Sequence, residues 1–304
     1  MPPIIETHDL CKVYRIGSEK VHALNHINLS IEKGEICCIL GTSGSGKSTL
    51  LNQLAGLEKP SSGNVSIGKY NISKMSENQL ASFRQKHIGF IFQSYNLLPT
   101  MTALENTAAP LLFRGLSKSK REKEAASILK EVGLEKRMRH MPTQMSGGQQ
   151  QRVGIARAFV AKPTIVFADE PTGNLDTHTT AEVMELLIRL ARTHGITFVL
   201  VTHDTELSRY ADRIITLRDG QIIGDKLQQS LVPASPPSKE NTAQKEDAAN
   251  MQEESGFSNE TDSSPADGQS ADADLPKPFS ERTDSLPQAD SDSAGQKITG
   301  GTLE

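Results

Sequence analysis

The chain has 304 residues, 36% of them apolar and 4% aromatic, no tryptophan, and a formal net charge of −4. It contains no run of about eighteen apolar residues, which excludes an ordinary membrane-spanning helix, and residues 1–6 lack the basic region and long apolar core expected of a signal peptide. The scarcity of aromatics leaves no stacking platform for bases, so no nucleic-acid partner is expected.

In chain order, residues 4–7, 21–24 and 27–31 read as antiparallel strands, and 64–67 alternates in the same way. Residues 35–40 read as a short apolar strand and 50–55 as a helix. Between them, Gly41-Thr42-Ser43-Gly44-Ser45-Gly46-Lys47-Ser48-Thr49 fits the phosphate-binding pattern G-x-x-x-x-G-K-[ST]. Strand, glycine turn and helix form the context this motif requires. The glycines let the backbone curl so that successive N–H groups point at phosphate oxygens, and the helix start adds partial positive charge. Lys47 is placed to reach the β- and γ-phosphates, and the Ser48 hydroxyl to ligate magnesium. A flexible glycine/serine turn is the bland alternative; lysine and serine at the required positions, behind an apolar strand, argue against it. Cys11, Cys37 and Cys38 have no metal-ligand spacing and read as small core residues in a reducing cytosol.

From about 95 to 162 the pattern turns helical, with Ala125, Ile128, Leu129 and Val132 at three- and four-residue spacings. Lys118, Lys120, Arg121 and Lys123 alternate with Glu122 and Glu124, as on a solvated face. Ser146-Gly147-Gly148-Gln149 opens another helix, with Ser146 suited to cap it. Alone, a capped helix after a turn explains that segment equally well. Residues 164–168 read as a buried parallel strand ending in Asp169-Glu170. Asp169 can hold magnesium, directly or through its water, and Glu170 can polarise an attacking water; a solvated acidic turn is the alternative. A helix over 179–192 and a strand over 196–202 follow, the strand leading to His203. The other seven histidines lack a strand-end setting, and His178 and His194 read as solvated. Strands at 213–217 and 221–223 flank Asp219-Gly220, a hairpin turn. From Leu231 to Glu304 there are 15 acidic and 5 basic residues, a net −10 that leaves +6 on the rest. With so few large apolar groups this segment cannot offset its ordering entropy and is expected to be a disordered acidic tail; an acidic docking tail is the alternative.

The loop at 41–49, Ser146-Gly147-Gly148-Gln149 and Asp169-Glu170 have the order and spacing of an ABC-type ATPase, which the chain resembles over roughly 4–225. Gln93 looks like that family's Q-loop glutamine, Asp176 like its D-loop aspartate, His203 like its switch histidine, and Tyr14 like the aromatic that stacks on adenine. The stretches 92–99, 149–152 and 169–176 resemble the branch of lipoprotein-release, macrolide-export and antimicrobial-peptide transporters. Met145 stands where the family usually has leucine, a volume-conserving change.

The resemblance implies an α/β P-loop NTPase fold over 4–228, with a mainly parallel core sheet, an N-terminal antiparallel β subdomain and a helical insertion at about 95–162 carrying the signature. It implies ATP and Mg2+ as ligands, the metal held by Ser48, Gln93 and Asp169. It also implies a head-to-tail dimer, with itself or a similar ATPase subunit, in which Ser146 and Gly148 of one copy meet the γ-phosphate held by the other. Lys47, Glu170 and His203 would serve hydrolysis, and Gln93 would report it to membrane permease subunits. The expected place is the cytoplasm, peripheral at the inner face of the cell membrane, in export or extraction from the membrane. Control of a membrane complex without transport is the alternative. Soluble relatives in DNA repair or translation carry a coiled-coil insertion or a second cassette, and neither is present here.

Overall fold

The computed structural model describes residues 3–231; the tail expected over 231–304 lies outside them, Leu231 apart. In chain order the elements are β1 (Ile5–Ile16), β2 (Glu19–Ile31), β3 (Ile36–Leu40), α1 (Lys47–Leu54), β4 (Ser62–Ile67), β5 (Tyr70–Asn71), α2 (Glu77–His87) and β6 (Ile88–Ile91). Then follow α3 (Ala103–Phe113), α4 (Lys118–Glu131), α5 (Gly147–Phe159), β7 (Ile165–Asp169), α6 (Thr177–His194), β8 (Thr197–Thr202), β9 (Arg213–Arg218) and β10 (Gln221–Leu227).

The strands form two sheets. One is antiparallel, in the order β2-β1-β4-β5. The other has the order β10-β9-β3-β8-β7-β6 and is parallel except for the terminal hairpin β9–β10. That hairpin turns on Asp219 (φ 49) and Gly220 (φ 73), two consecutive left-handed residues, as the tight turn between antiparallel strands requires.

The parallel strands read as unbroken apolar runs because both of their faces are covered. On β3, Ile36 and Cys38 face a core shared with α3 to α6, while Cys37 and Ile39 face α1 and the antiparallel sheet. The same alternation splits Val166 and Ala168 from Ile165 and Phe167 on β7, and Phe198 and Leu200 from Val199 and Val201 on β8. Phe167 and Phe198 are fully buried on opposite faces, and each such side chain contributes about 1.5–3 kcal/mol by leaving water. Burial of Cys37 and Cys38 raises both thiols, Cys38 to about 12, so neither is a ready nucleophile or ligand.

Helix α2 is absent from the expectation because its apolar content is thin, only Leu80 and Phe83 being buried. The legible signal was Ser76 with Gln79 three residues on, which form a reciprocal capping box. The basic run on α4 is mostly exposed, and Lys118 pairs with Glu122 at 3.8 Å. His194 is exposed, with its Nε2 3.0 Å from Glu131 Oε1. His178 is exposed, 3.6 Å from Glu182.

Because β3, β6, β7 and β8 are parallel neighbours, the segments leaving their C-terminal ends emerge at one edge of the sheet. These are the 41–49 loop, Gln93, Asp169-Glu170 and His203, and this edge is where open α/β sheets bind ligands.

Candidate functional site

The loop after β3 owes its shape to glycine. Gly44 (φ 77) and Gly46 (φ 97) are left-handed, and a Cβ on Gly46 would lie 2.4 Å from the Ala23 carbonyl oxygen. Gly41 is equally constrained, its Cβ position being 2.4 Å from the Leu217 carbonyl oxygen. Helix α1 starts at Lys47 with no side-chain cap, so its first N–H groups are left for a ligand. The loop lines a cleft of about 1000 Å³, whose other walls are Val21 to Ala23, Glu170, His203, Thr205 and the turn at Asp219-Gly220. The turn is fixed there by a hydrogen bond from the Gly220 N–H to the Ser45 carbonyl (3.0 Å) and one from the Asn25 N–H to the Gly220 carbonyl (2.9 Å).

Two polar side chains of the cleft are paired within the chain. Lys47 Nζ donates to the Thr42 carbonyl at 2.8 Å, and the Ser48 hydroxyl to Asp169 Oδ1 at 3.2 Å. Burial, with the neighbouring Glu170 charge adding to it, raises the Asp169 carboxyl above its ordinary value, against the Ser48 hydrogen bond and the Lys47 charge. A cation beside Asp169 would reverse that balance. Thr42, Ser43, Gly44 and Ser48 are exposed, Thr49 lines the cleft, and Ser45 is buried.

Glu170 is the next residue and faces the cleft from a strained backbone. Its φ is 45, a region that costs a non-glycine residue about 1–2 kcal/mol. The turn is held by its N–H donating to the Val201 carbonyl (2.9 Å) and by the Gly173 N–H donating to the Glu170 carbonyl (3.1 Å). Glu170 Oε1 lies 2.7 Å from His203 Nδ1.

Other predicted residues lie around this cleft rather than in its wall. The Tyr14 hydroxyl donates to Glu58 Oε2 at 2.7 Å, and burial followed by Glu58 raises its pKa; Val21 to Ala23 form the cleft wall instead. Gln93 is exposed and lies against Gly173, where a Cβ would sit 2.7 Å from its Nε2. Its carbonyl accepts from Asn174 Nδ2 at 3.0 Å. Asp176 caps α6, accepting from the Thr179 N–H (3.0 Å) and hydroxyl (2.7 Å), and these bonds lower its pKa.

The signature forms a second cleft. Ser146 caps α5 in a reciprocal box with Gln149. A Cβ on Gly148 would lie 2.6 Å from Thr179 Cγ2, and one on Gly147 2.9 Å from the Tyr95 hydroxyl. Ser146, Gly148 and Gln149 line this cleft together with Lys136, Arg137 and Arg152, and none of the 41–49 loop does. Conversely, the cleft at the loop contains no residue of the signature.

Sequence reasoning missed the supports behind these motifs. Gln151 and Arg157 of α5 reach other loops: Gln151 Nε2 donates to the Pro171 carbonyl, and Arg157 donates to the carbonyls of Tyr95 and Asn96. Tyr95 (φ 58) and Asn96 (φ 48) are consecutive left-handed residues. A glutamine and an arginine on the buried side of an otherwise apolar helix face were the available signal.

Residues 24–173 match the family model described as ABC transporter. The chain is 46% identical over 225 residues to the lipoprotein-releasing system ATP-binding protein of Geobacter metallireducens, covering 74% of this chain and 100% of that one. The chain belongs to the ABC transporter family of ATP-binding proteins. It is also 44% identical over 229 residues, 75% of this chain, to the macrolide export ATP-binding/permease protein of Rhodopirellula baltica. It spans only about a third of the length of such macrolide-export relatives. Among solved structures, a dimeric ATP-binding cassette in a post-hydrolysis state with ADP and Pi superposes with a TM-score of 0.69 at 42% identity, covering 74% of this chain and 99% of that one. In this ABC cassette, Ser48 Oγ and Asp169 Oδ1 are a pair of hard oxygen donors of the kind Mg2+ accepts, alongside phosphate oxygens and its own waters. Among the described residues no cluster of three His, Cys, Asp or Glu side chains offers an all-protein cage.

Proposed function

We propose that the chain is the ATP-hydrolysing subunit of a membrane transporter, working as a head-to-tail dimer on a separate permease in export or extraction from the membrane. The observation that carries this reading is the separation of the two clefts: one has the phosphate loop, Glu170 and His203, the other the signature. A second copy supplies what each site lacks. The N–H groups of the 41–49 loop hold the phosphates, and Lys47 exchanges the Thr42 carbonyl for phosphate oxygen. Ser146 and Gly148 of the facing copy meet the γ-phosphate. Glu170 accepts the proton of the attacking water, oriented by His203. Ser48, Asp169 and Gln93 would hold magnesium, which would supply positive charge to the bound phosphates.

No helix among the described residues is long and apolar enough to cross a membrane. One feature supports a membrane-protein partner. A groove between β6 and α3 is lined by Phe90, Phe92, Pro110 and Phe113, and Phe113 is 70% exposed whereas Leu111, two residues before it on α3, is buried; apolar surface of this kind marks docking sites. This groove lies beside Gln93 in the chain, so closure of the nucleotide site and the partner contact share one segment.

The test uses Ser43→Cys and Ser146→Cys in a Glu170→Gln background. Both positions are exposed and the three native cysteines are buried, so background crosslinking is low. ATP should promote disulfides between chains joining 43 to 146, in the purified chain and in complexes drawn from solubilised membranes with a membrane protein attached. Crosslinks confined to single chains would overturn the dimer, and absence of any membrane partner would overturn the transport reading.

A further inference from the structure

We infer that Gln151 is a positioning residue for Glu170, fixing the catalytic turn to the signature helix; this rests on the ATPase reading above. Gln151 lies on α5, five residues beyond Ser146, and is 0% exposed. Its Nε2 donates to the Pro171 carbonyl at 2.5 Å. Its Oε1 is buried with no hydrogen-bond partner.

A buried amide with an orphan oxygen is an expensive way to fill space. Leaving a polar atom unpaired costs about 1–3 kcal/mol, and an apolar side chain of the same volume would avoid it. The donated bond is what the glutamine supplies and a methionine does not. Its acceptor is the carbonyl immediately after Glu170, and Glu170 occupies the left-handed region at φ 45. Such a backbone persists only where its surroundings over-determine it. The supports are three: the Val201 carbonyl on β8, the Gly173 N–H across the turn, and Gln151 from α5. The first two belong to the nucleotide-binding core. Gln151 alone among them ties the turn to the helix that begins at Ser146, so movement of that helix and the attitude of the Glu170 carboxylate are joined through one hydrogen bond.

The contact does not touch the phosphate loop, whose polar groups pair with Thr42 and Asp169. Loss of it should therefore spare nucleotide binding and impair turnover. Two variants test this in the full chain, with steady-state ATP hydrolysis and titration of a fluorescent ATP analogue, both referred to the parent chain at each pH. Gln151→Met keeps the volume and removes the donor; kcat should fall about 10- to 100-fold, as misplacement of a catalytic group by a fraction of an ångström to an ångström does, with analogue affinity unchanged. Gln151→Glu can still donate to the Pro171 carbonyl while its carboxyl is protonated, and burial favours that form. Its turnover relative to the parent should approach the parent's at low pH and fall as the carboxyl ionises.

A Gln151→Met chain with parental kcat, or one losing affinity and turnover together, would overturn the inference. So would a Gln151→Glu chain as slow as the methionine variant at every pH, and this arm decides alone should Gln151→Met fail to fold. Failure of the parent chain itself to hydrolyse ATP would instead refute the function proposed above.

Discussion

Replacing Glu170 by glutamine separates binding from chemistry at this site. The two side chains have the same shape, and the backbone at φ 45 is no more costly for one than for the other. The amide oxygen can still accept from His203, whose Nδ1 lies 2.7 Å from Glu170 Oε1, so the geometry of the cleft is retained. None of the groups that would hold phosphate is altered: Lys47, Ser48 and the first N–H groups of α1 keep their places. What is lost is proton acceptance. General-base catalysis contributes about 10²- to 10⁴-fold, which corresponds to about 2.7–5.5 kcal/mol of barrier. Turnover of Glu170→Gln, followed by phosphate release, should fall within that range while affinity for a fluorescent ATP analogue is unchanged. ATP then remains unhydrolysed between the two copies, and size exclusion should show a dimer that persists with ATP and is absent without nucleotide. Turnover within about threefold of the parent chain, with binding intact, would remove Glu170 from the mechanism and leave the site as a binding module.

Lys47→Ala should act on binding itself, because it deletes the one ammonium in the loop; a charged hydrogen bond to phosphate is worth about 1.5–3 kcal/mol, so analogue affinity should drop about 10- to 150-fold, and an unchanged affinity would mean that the nucleotide lies elsewhere. Asp225→Asn addresses stability: Arg213 holds this carboxylate by two bonds, at 2.7 and 2.6 Å, and lowers its pKa. A lowered pKa stabilises the fold above the unfolded value and ceases to do so as pH falls through the folded one. The partly exposed pair is worth at most about 1 kcal/mol, so thermal melting should separate the two chains at pH 7 and bring them together well below pH 4; a difference that persists in acid would refute the ion-pair explanation.

Much of this cassette is legible in its sequence because its chemistry is written in contiguous segments. Gly44 and Gly46 announce a backbone that only glycine adopts cheaply, and Asp219-Gly220 between apolar runs announces its hairpin. The apolar runs at 35–40, 164–168 and 196–202 read as strands, and the unbroken character of such runs follows from both faces being covered. What could not be read is where these segments meet. That the Asp219-Gly220 turn forms a wall of the nucleotide cleft follows from β9 pairing with β3, a contact between residues 176 positions apart (Cys37 and Arg213). The position of Tyr14 is set by Glu58, on a loop whose approach no local pattern encodes. Gln151 and Arg157 read as polar interruptions in a helix, and become intelligible only when Pro171, Tyr95 and Asn96 stand opposite them.

The contacts within the cleft bear on how ATP would be admitted. Lys47 on the Thr42 carbonyl, Ser48 on Asp169 and His203 on Glu170 are each paired within the chain. Without such pairing, the ammonium of Lys47, the carboxylates of Asp169 and Glu170 and the imidazole of His203 would be left unsatisfied against a partly desolvated wall, at a cost of about 1–3 kcal/mol for each such atom. Nucleotide and metal must therefore displace these side-chain partners, besides meeting the N–H donors left open at the start of α1. The exchange is favourable for Lys47, which gives up a neutral carbonyl for an anion, and for Asp169, whose carboxyl burial raises above its ordinary value and a cation would lower. It offers nothing to Glu170, which gains no opposite charge from phosphate. In the proposed mechanism binding energy would thus be drawn from the loop and from Asp169, while Glu170, 2.7 Å from His203 and held by its strained turn, would be left to take a proton from water when a second copy closes over the γ-phosphate.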